Sequence, residues 1–62
     1  MKQTIYIEFK NERIGFTKWF DGKKWNWNYD KRKIYKSLRW ANKIKKGLTN
    51  NYEKPVLIIN NN

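Results

Sequence analysis

Over residues 4–10 the side chains alternate, with Ile5, Ile7 and Phe9 on one side and Thr4, Tyr6, Glu8 and Lys10 on the other. A period of two predicts a half-buried strand. Asn11-Glu12 reads as a two-residue turn, and the alternation resumes over residues 13–20 with Ile14 and Phe16 on one face. Asp21-Gly22 then marks a second hairpin, because a type I′ turn wants positive φ at both central residues. A third strand is expected over residues 23–29.

Each turn implies a register. Around Asp21-Gly22, Lys18 stands against Trp25, Phe16 against Trp27 and Ile14 against Tyr29; around Asn11-Glu12, Phe9 stands against Ile14, Ile7 against Phe16 and Ile5 against Lys18. Both registers place Ile5, Ile7, Phe9, Ile14, Phe16, Trp25, Trp27 and Tyr29 on one apolar surface. Lys18 alone interrupts it, and its aliphatic stem can lie along that surface. The outward face carries Tyr6, Lys10, Arg13, Thr17, Trp19, Lys24, Asn26 and Asn28, with Glu8 facing Gly15.

Past residue 30 the period changes. Ile34, Leu38, Ala41, Ile44 and Leu48 recur at three- and four-residue steps, the stripe of a helix that covers the apolar sheet face. Asp30 and Ser37 both suit its start. Ser37 is the better cap, because Asp30 would set Lys31, Arg32 and Lys33 against the positive end of the helix dipole. Lys43, Lys45 and Lys46 suit the last turn, and Gly47 suits a left-handed closing position. A polar loop over residues 49–54 and Pro55 lead to Val56-Leu57-Ile58-Ile59, read as a last strand parallel to the first by a right-handed crossover. Asn60 to Asn62 should fray. The expected fold is α+β: a three-stranded antiparallel meander on one helix with a short fourth strand (βββαβ), one small basic domain over residues 1–62.

Composition narrows the function. At 62 residues there is room for one core, and with no cysteine or histidine the usual metal and haem ligands and any disulfide are missing, so no cofactor is expected. The longest apolar run, residues 56–59, is far short of the roughly 20 residues of a membrane span. Met1-Lys2-Gln3-Thr4 leads into a strand pattern rather than a signal peptide, so a cytoplasmic protein is expected. The five carboxylates, Glu8, Glu12, Asp21, Asp30 and Glu53, are scattered, Ser37 is explained as a cap, and Gly15, Gly22 and Gly47 are too dispersed for a phosphate loop. Acid–base or nucleophilic catalysis needs paired, tuned groups, so an enzyme is not expected.

Fifteen Lys and Arg against five Asp and Glu leave a net charge of +10. Such a surface steers and holds polyanions by releasing their counterions. Solubility, or a codon bias toward Lys, Asn and Ile, is the competing explanation. On the outward face, cations surround two aromatics, Tyr6 and Trp19, an arrangement that stacks bases and meets phosphates in single-stranded nucleic acid. Lys10, Arg13 and Lys24 are the candidate phosphate contacts there, with Thr17 and Asn26 beside them. A second basic stripe, Arg39, Lys43 and Lys46, runs along the outer side of the helix, joined by Arg32 and Lys36 if the helix starts near residue 31. Trp40 belongs to the core edge or anchors an interface.

The run Tyr35-Lys36-Ser37-Leu38-Arg39-Trp40-Ala41, after a Trp-rich hairpin, resembles a helix start found in small phage and mobile-element proteins. There an aromatic precedes a Ser cap and an Ala follows four residues later. The resemblance spans about residues 5–48. A fainter similarity is to the three-strand-plus-helix DNA-binding domains of plant AP2 factors and integrase arm-binding modules, which implies DNA contacts at Arg13, Thr17, Trp19, Lys24 and Asn26. This chain departs from them in its longer segment over residues 30–36 and its fourth strand. The expected partner is therefore DNA or RNA, or a nucleoprotein. The phage resemblance implies an alternative, an inhibitor docking on an acidic host or bacterial-defence protein.

Overall fold

In the computed structural model, which describes residues 3–61, four strands and one helix follow the order β1 (Gln3–Asn11), β2 (Phe16–Phe20), β3 (Trp25–Asn26), α1 (Leu38–Leu48) and β4 (Val56–Asn61). A single 3-10 turn, Tyr29–Lys31, stands between β3 and α1. The strands form one antiparallel sheet in the order β3-β2-β1-β4, and the helix packs on one of its faces. The fold is α+β, a meander joined by a C-terminal strand.

Both hairpins depart from the two-residue loops expected of them. Phe9 pairs with Lys18 and Asn11 with Phe16; Phe20 pairs with Trp25 and Trp19 with Asn26. Among the described residues none other than glycine has positive φ, so neither Asn11-Glu12 nor Asp21-Gly22 forms a type I′ turn. Instead a short polar side chain folds each loop. Asn11 Oδ1 accepts from the N–H groups of Arg13 and Ile14, and Asp21 Oδ1 from those of Lys23 and Lys24. Gly15 (φ 88°) and Gly22 (φ 102°) supply the left-handed positions.

The registers therefore slip, but by an even number of residues, so each alternating position keeps its face. Ile5, Ile7, Phe9, Phe16, Lys18 and Trp25 still share one side, and Phe20, not assigned to it from the sequence, joins them. Ile14 does not, because β2 begins after it: it sits in the first loop and is 75% exposed. The expected third strand is cut to Trp25–Asn26. Asn26 Oδ1 accepts from Asn28 N and Asn28 Oδ1 from Asp30 N, and these local bonds turn the chain out of the ladder. Trp27, expected in the core opposite Phe16, is 67% exposed and touches Phe16 only edge-on, with ring centres 5.3 Å apart. Tyr29 is also exposed.

Ile5, Ile7, Phe20, Tyr35 and Ala41 form the buried core, and Trp25, Ile44, Leu48 and Leu57 pack against it. Burying an Ile side chain contributes roughly 1.5–3 kcal/mol, so Ile5 and Ile7, the two largest fully buried residues, anchor the fold. Ser37 caps α1 as expected, its Oγ accepting from Trp40 N at 3.2 Å. The helix does not close at Gly47, which lacks a positive φ. It runs on to Leu48, and Thr49 ends it, its Oγ1 donating to Lys45 O. Ile34 and Leu38, placed on the buried stripe by spacing, are exposed.

β4 lies beside β1 as expected but antiparallel to it, with Ile5 opposite Ile59 and Glu8 opposite Val56. The reversal is made before the helix. Residues 33–35 continue the track of β2 past its end, with Lys33 N donating to Phe20 O and Tyr35 N to Ile5 O, so that Ile5 bridges Tyr35. The chain thus reaches the Ile5 end of β1 before α1 begins. The helix carries it back, and β4 enters opposite Glu8 running the other way. Asn60 and Asn61, expected to fray, pair with Thr4 and Gln3; Met1, Lys2 and Asn62 lie outside the described residues. Among the described residues no helix is long and apolar enough to cross a membrane.

Candidate nucleic-acid interface

Because β3 is the outermost strand on its side of the sheet, the turn that follows it folds over the outward face. Tyr29 meets Tyr6 edge-on at 6.0 Å and Trp19 at 5.4 Å. The Arg32 guanidinium lies 3.7 Å from the centre of the Tyr29 ring and 4.8 Å from that of Tyr6. Its Nη1 donates to Tyr29 O, while its Nε is enclosed without an acceptor among the described residues. The outward face thus carries a second, small aromatic cluster, held partly by cation–π attraction.

Tyr6 is only 5% exposed, so its ring is not available to stack on a base. Burial first, and then the neighbouring Tyr29 hydroxyl, push its own hydroxyl above the usual value of 10.0. Trp19 is half-buried. It stands opposite Asn26, and its Nε1 donates to Glu8 Oε2 at 3.1 Å, so Glu8 faces Trp19 and not Gly15.

The aromatic surface that remains open lies along the free edge of β3. Trp19, Trp25, Trp27 and Tyr29 line a groove of about 750 Å³ together with Lys24, Asn26 and Asn28. Of the residues singled out from sequence, Trp19, Lys24 and Asn26 meet here. Lys10 and Thr17 pair with each other further along β1 and β2, and Arg13 lies in the exposed first loop. Arg39, Lys43 and Lys46 are exposed on α1, which covers the opposite side of the sheet, so the two basic regions are not brought together. Arg32 and Lys36 precede α1 and do not join that stripe. Spacing missed Trp27, Asn28 and Tyr29 as site residues. The signal was the pair Asn26 and Asn28, poor strand formers that favour local turns.

Lys24 is the one cation among the described residues that line the groove, and the carboxylates of Glu8 and Asp21 bond to its residues Trp19, Lys24 and Asn26. Among the described residues the one ion pair joins Lys18 to Glu53, with Lys18 Nζ 4.9 Å from the centre of the Trp25 ring that lines the groove. Asp21 is occupied by backbone N–H groups, those of Lys24 and then Lys23 holding its carboxyl below the usual 3.8. Comparison of the chain with protein-family models, curated proteins and solved structures finds no match.

Proposed function

We propose that this chain is a non-enzymatic binding protein that holds single-stranded nucleic acid, DNA or RNA, along the free edge of β3. One observation carries the reading: an open groove with the exposed Trp27 and Tyr29 rings, Trp19 beside them, and Lys24 and two Asn side chains at its rim. Rings of this kind stack on bases without regard to sequence, and a net charge of +10 supplies the phosphate attraction. The stacking role assigned to Tyr6 by alternation passes to Trp27 and Tyr29, while Lys10, Arg13 and Lys24 remain phosphate contacts.

A titration with fluorescent single-stranded oligonucleotides over a range of salt tests this. The logarithm of affinity should fall linearly with the logarithm of salt, and Lys24→Ala should flatten the slope by about one phosphate contact. Trp27→Ala should weaken binding by roughly 1–3 kcal/mol and leave the slope unchanged. Affinity no greater than that of an unstructured peptide of equal charge would refute the proposal. The half-exposed Trp40 ring, with Lys43 Nζ 5.6 Å from its centre, favours one alternative: docking on an acidic host or defence protein. In that case a captured partner would survive nuclease treatment, and Trp40 rather than Trp27 would dominate affinity.

A further inference from the structure

On the other side of Asn26 the edge of β3 borders a second hollow of about 460 Å³, between the second hairpin and α1. Lys23, Lys31 and Lys33 line it, with Tyr35, Trp40 and Ile44 as its apolar wall. None of the three lysines is in an ion pair among the described residues. Each springs from a backbone position held by a hydrogen bond: Lys23 N to Asp21 Oδ1, Lys31 N to Asn28 O and Lys33 N to Phe20 O. The Lys33 stem runs beside Gly22, where an added Cβ would meet its Cδ at 3.6 Å. The one acid in the lining, Asp21, has Oδ1 taken by Lys23 and Lys24 N–H and Oδ2 by Asn26 Nδ2.

We infer that this hollow receives the phosphorylated end of a nucleic-acid strand whose bases lie in the aromatic groove. The inference rests on the proposed function and extends it. Three ammonium groups against one carboxylate leave an excess of two positive charges in the lining. A terminal phosphomonoester carries about −1.5 to −2 near pH 7, a better match than the single charge of an internal phosphodiester. The space exceeds a phosphate group, and the Trp40 ring offers a stacking surface for the terminal base. Asn26 lines both spaces, so one strand can pass from the groove into the hollow around the edge of β3.

The test compares three oligonucleotides of one sequence, labelled internally, carrying a 5′-phosphate, a 3′-phosphate or hydroxyls at both ends, at fixed salt. One phosphorylated form should bind about tenfold tighter than the hydroxyl-ended form, a difference of about 1.4 kcal/mol. Lys31→Gln with Lys33→Gln, and separately Trp40→Ala, should abolish that preference while the hydroxyl-ended form still binds. Lys46→Gln with Lys54→Gln, at two exposed positions outside the lining of the hollow, removes the same charge elsewhere and should weaken all three forms without altering their ratio. Trp27→Ala should do likewise. Equal affinity for all three ends, with binding intact, overturns the end site and leaves the groove standing. Failure of all three to bind overturns both.

Discussion

Lys18 Nζ lies 2.8 Å from Glu53 Oε2, on the apolar side of the sheet. Alternation puts Lys18 opposite Phe9, and its ammonium sits 5.4 Å from the centre of that ring and 4.9 Å from the centre of Trp25. Glu53 is presented by the loop before β4, where Asn50 Oδ1 accepts from the N–H groups of Tyr52 and Glu53. The side chains are 14% and 30% exposed, so the pair is largely but not fully desolvated. Glu53→Gln should therefore destabilise by about 1–2 kcal/mol, between the near-zero value of an exposed pair and the cost of breaking a buried one. Lys18→Met, similar in volume and apolar, should cost less than that. Urea unfolding of both variants checks the order, and a reversed order would mean that the Lys18 ammonium stabilises chiefly through the Phe9 and Trp25 rings rather than through Glu53.

Two glycines should respond in opposite directions. Gly22 holds φ 102°, where a β-branched side chain is strained, so Gly22→Val should destabilise by roughly 1–2 kcal/mol. Gly47 is helical, and an added Cβ there meets nothing within 4 Å, so Gly47→Ala should stabilise by roughly 0.5–1 kcal/mol. Thermal melts of both variants decide the matter, and a destabilised Gly47→Ala would restore the left-handed cap expected from the sequence.

The tryptophans and the core should separate cleanly. Phe20, 8% exposed within the core, should lose roughly 3–5 kcal/mol on substitution by Ala, enough to unfold a marginal domain. Trp27→Ala should leave the far-ultraviolet circular dichroism and melting temperature almost unchanged. Comparable unfolding in both would place Trp27 back in the core.

Stability should fall at both ends of the pH scale. The Asp21 carboxyl titrates lower folded than unfolded, so its contribution is present above the unfolded value near 3.8 and is lost as pH falls through the folded value. Asp21→Asn keeps an acceptor oxygen but cannot titrate, and should flatten that acid limb in urea midpoints measured against pH. Tyr6 and Tyr35 are both raised above 10.0, chiefly by burial. Their contribution is complete below the unfolded value and is lost as pH rises through the folded ones, so Tyr35→Phe should flatten the alkaline limb.

Ile14 apart, alternation alone divided the sheet residues into two faces correctly from Ile5 to Trp25. The division survived two wrong registers, because both slips were even and side-chain direction repeats every two residues. The Ser37 cap was equally legible, since a hydroxyl before an apolar stripe is a local signal. The site was less so. Trp19, Lys24 and Asn26 were placed together, yet Tyr6 was read as exposed and Trp27 as buried, because a third strand was carried past Asn26 where local Asn bonds end it.

The sequence by itself determined the α+β class, the number of strands, the residues of the β1 core face and the net charge, all of which depend on composition or on neighbours a few positions apart. The tertiary structure decided the hairpin registers, the exposure of Trp27, the covering of Tyr6 by Arg32 and the direction of β4. Those outcomes rest on contacts between distant segments. The bond from Tyr35 N to Ile5 O brings the chain to the far end of β1 before α1 starts, and so sets β4 antiparallel. Periodicity describes which way side chains point within an element; it carries no information about which distant backbone will satisfy an N–H group once that element has ended.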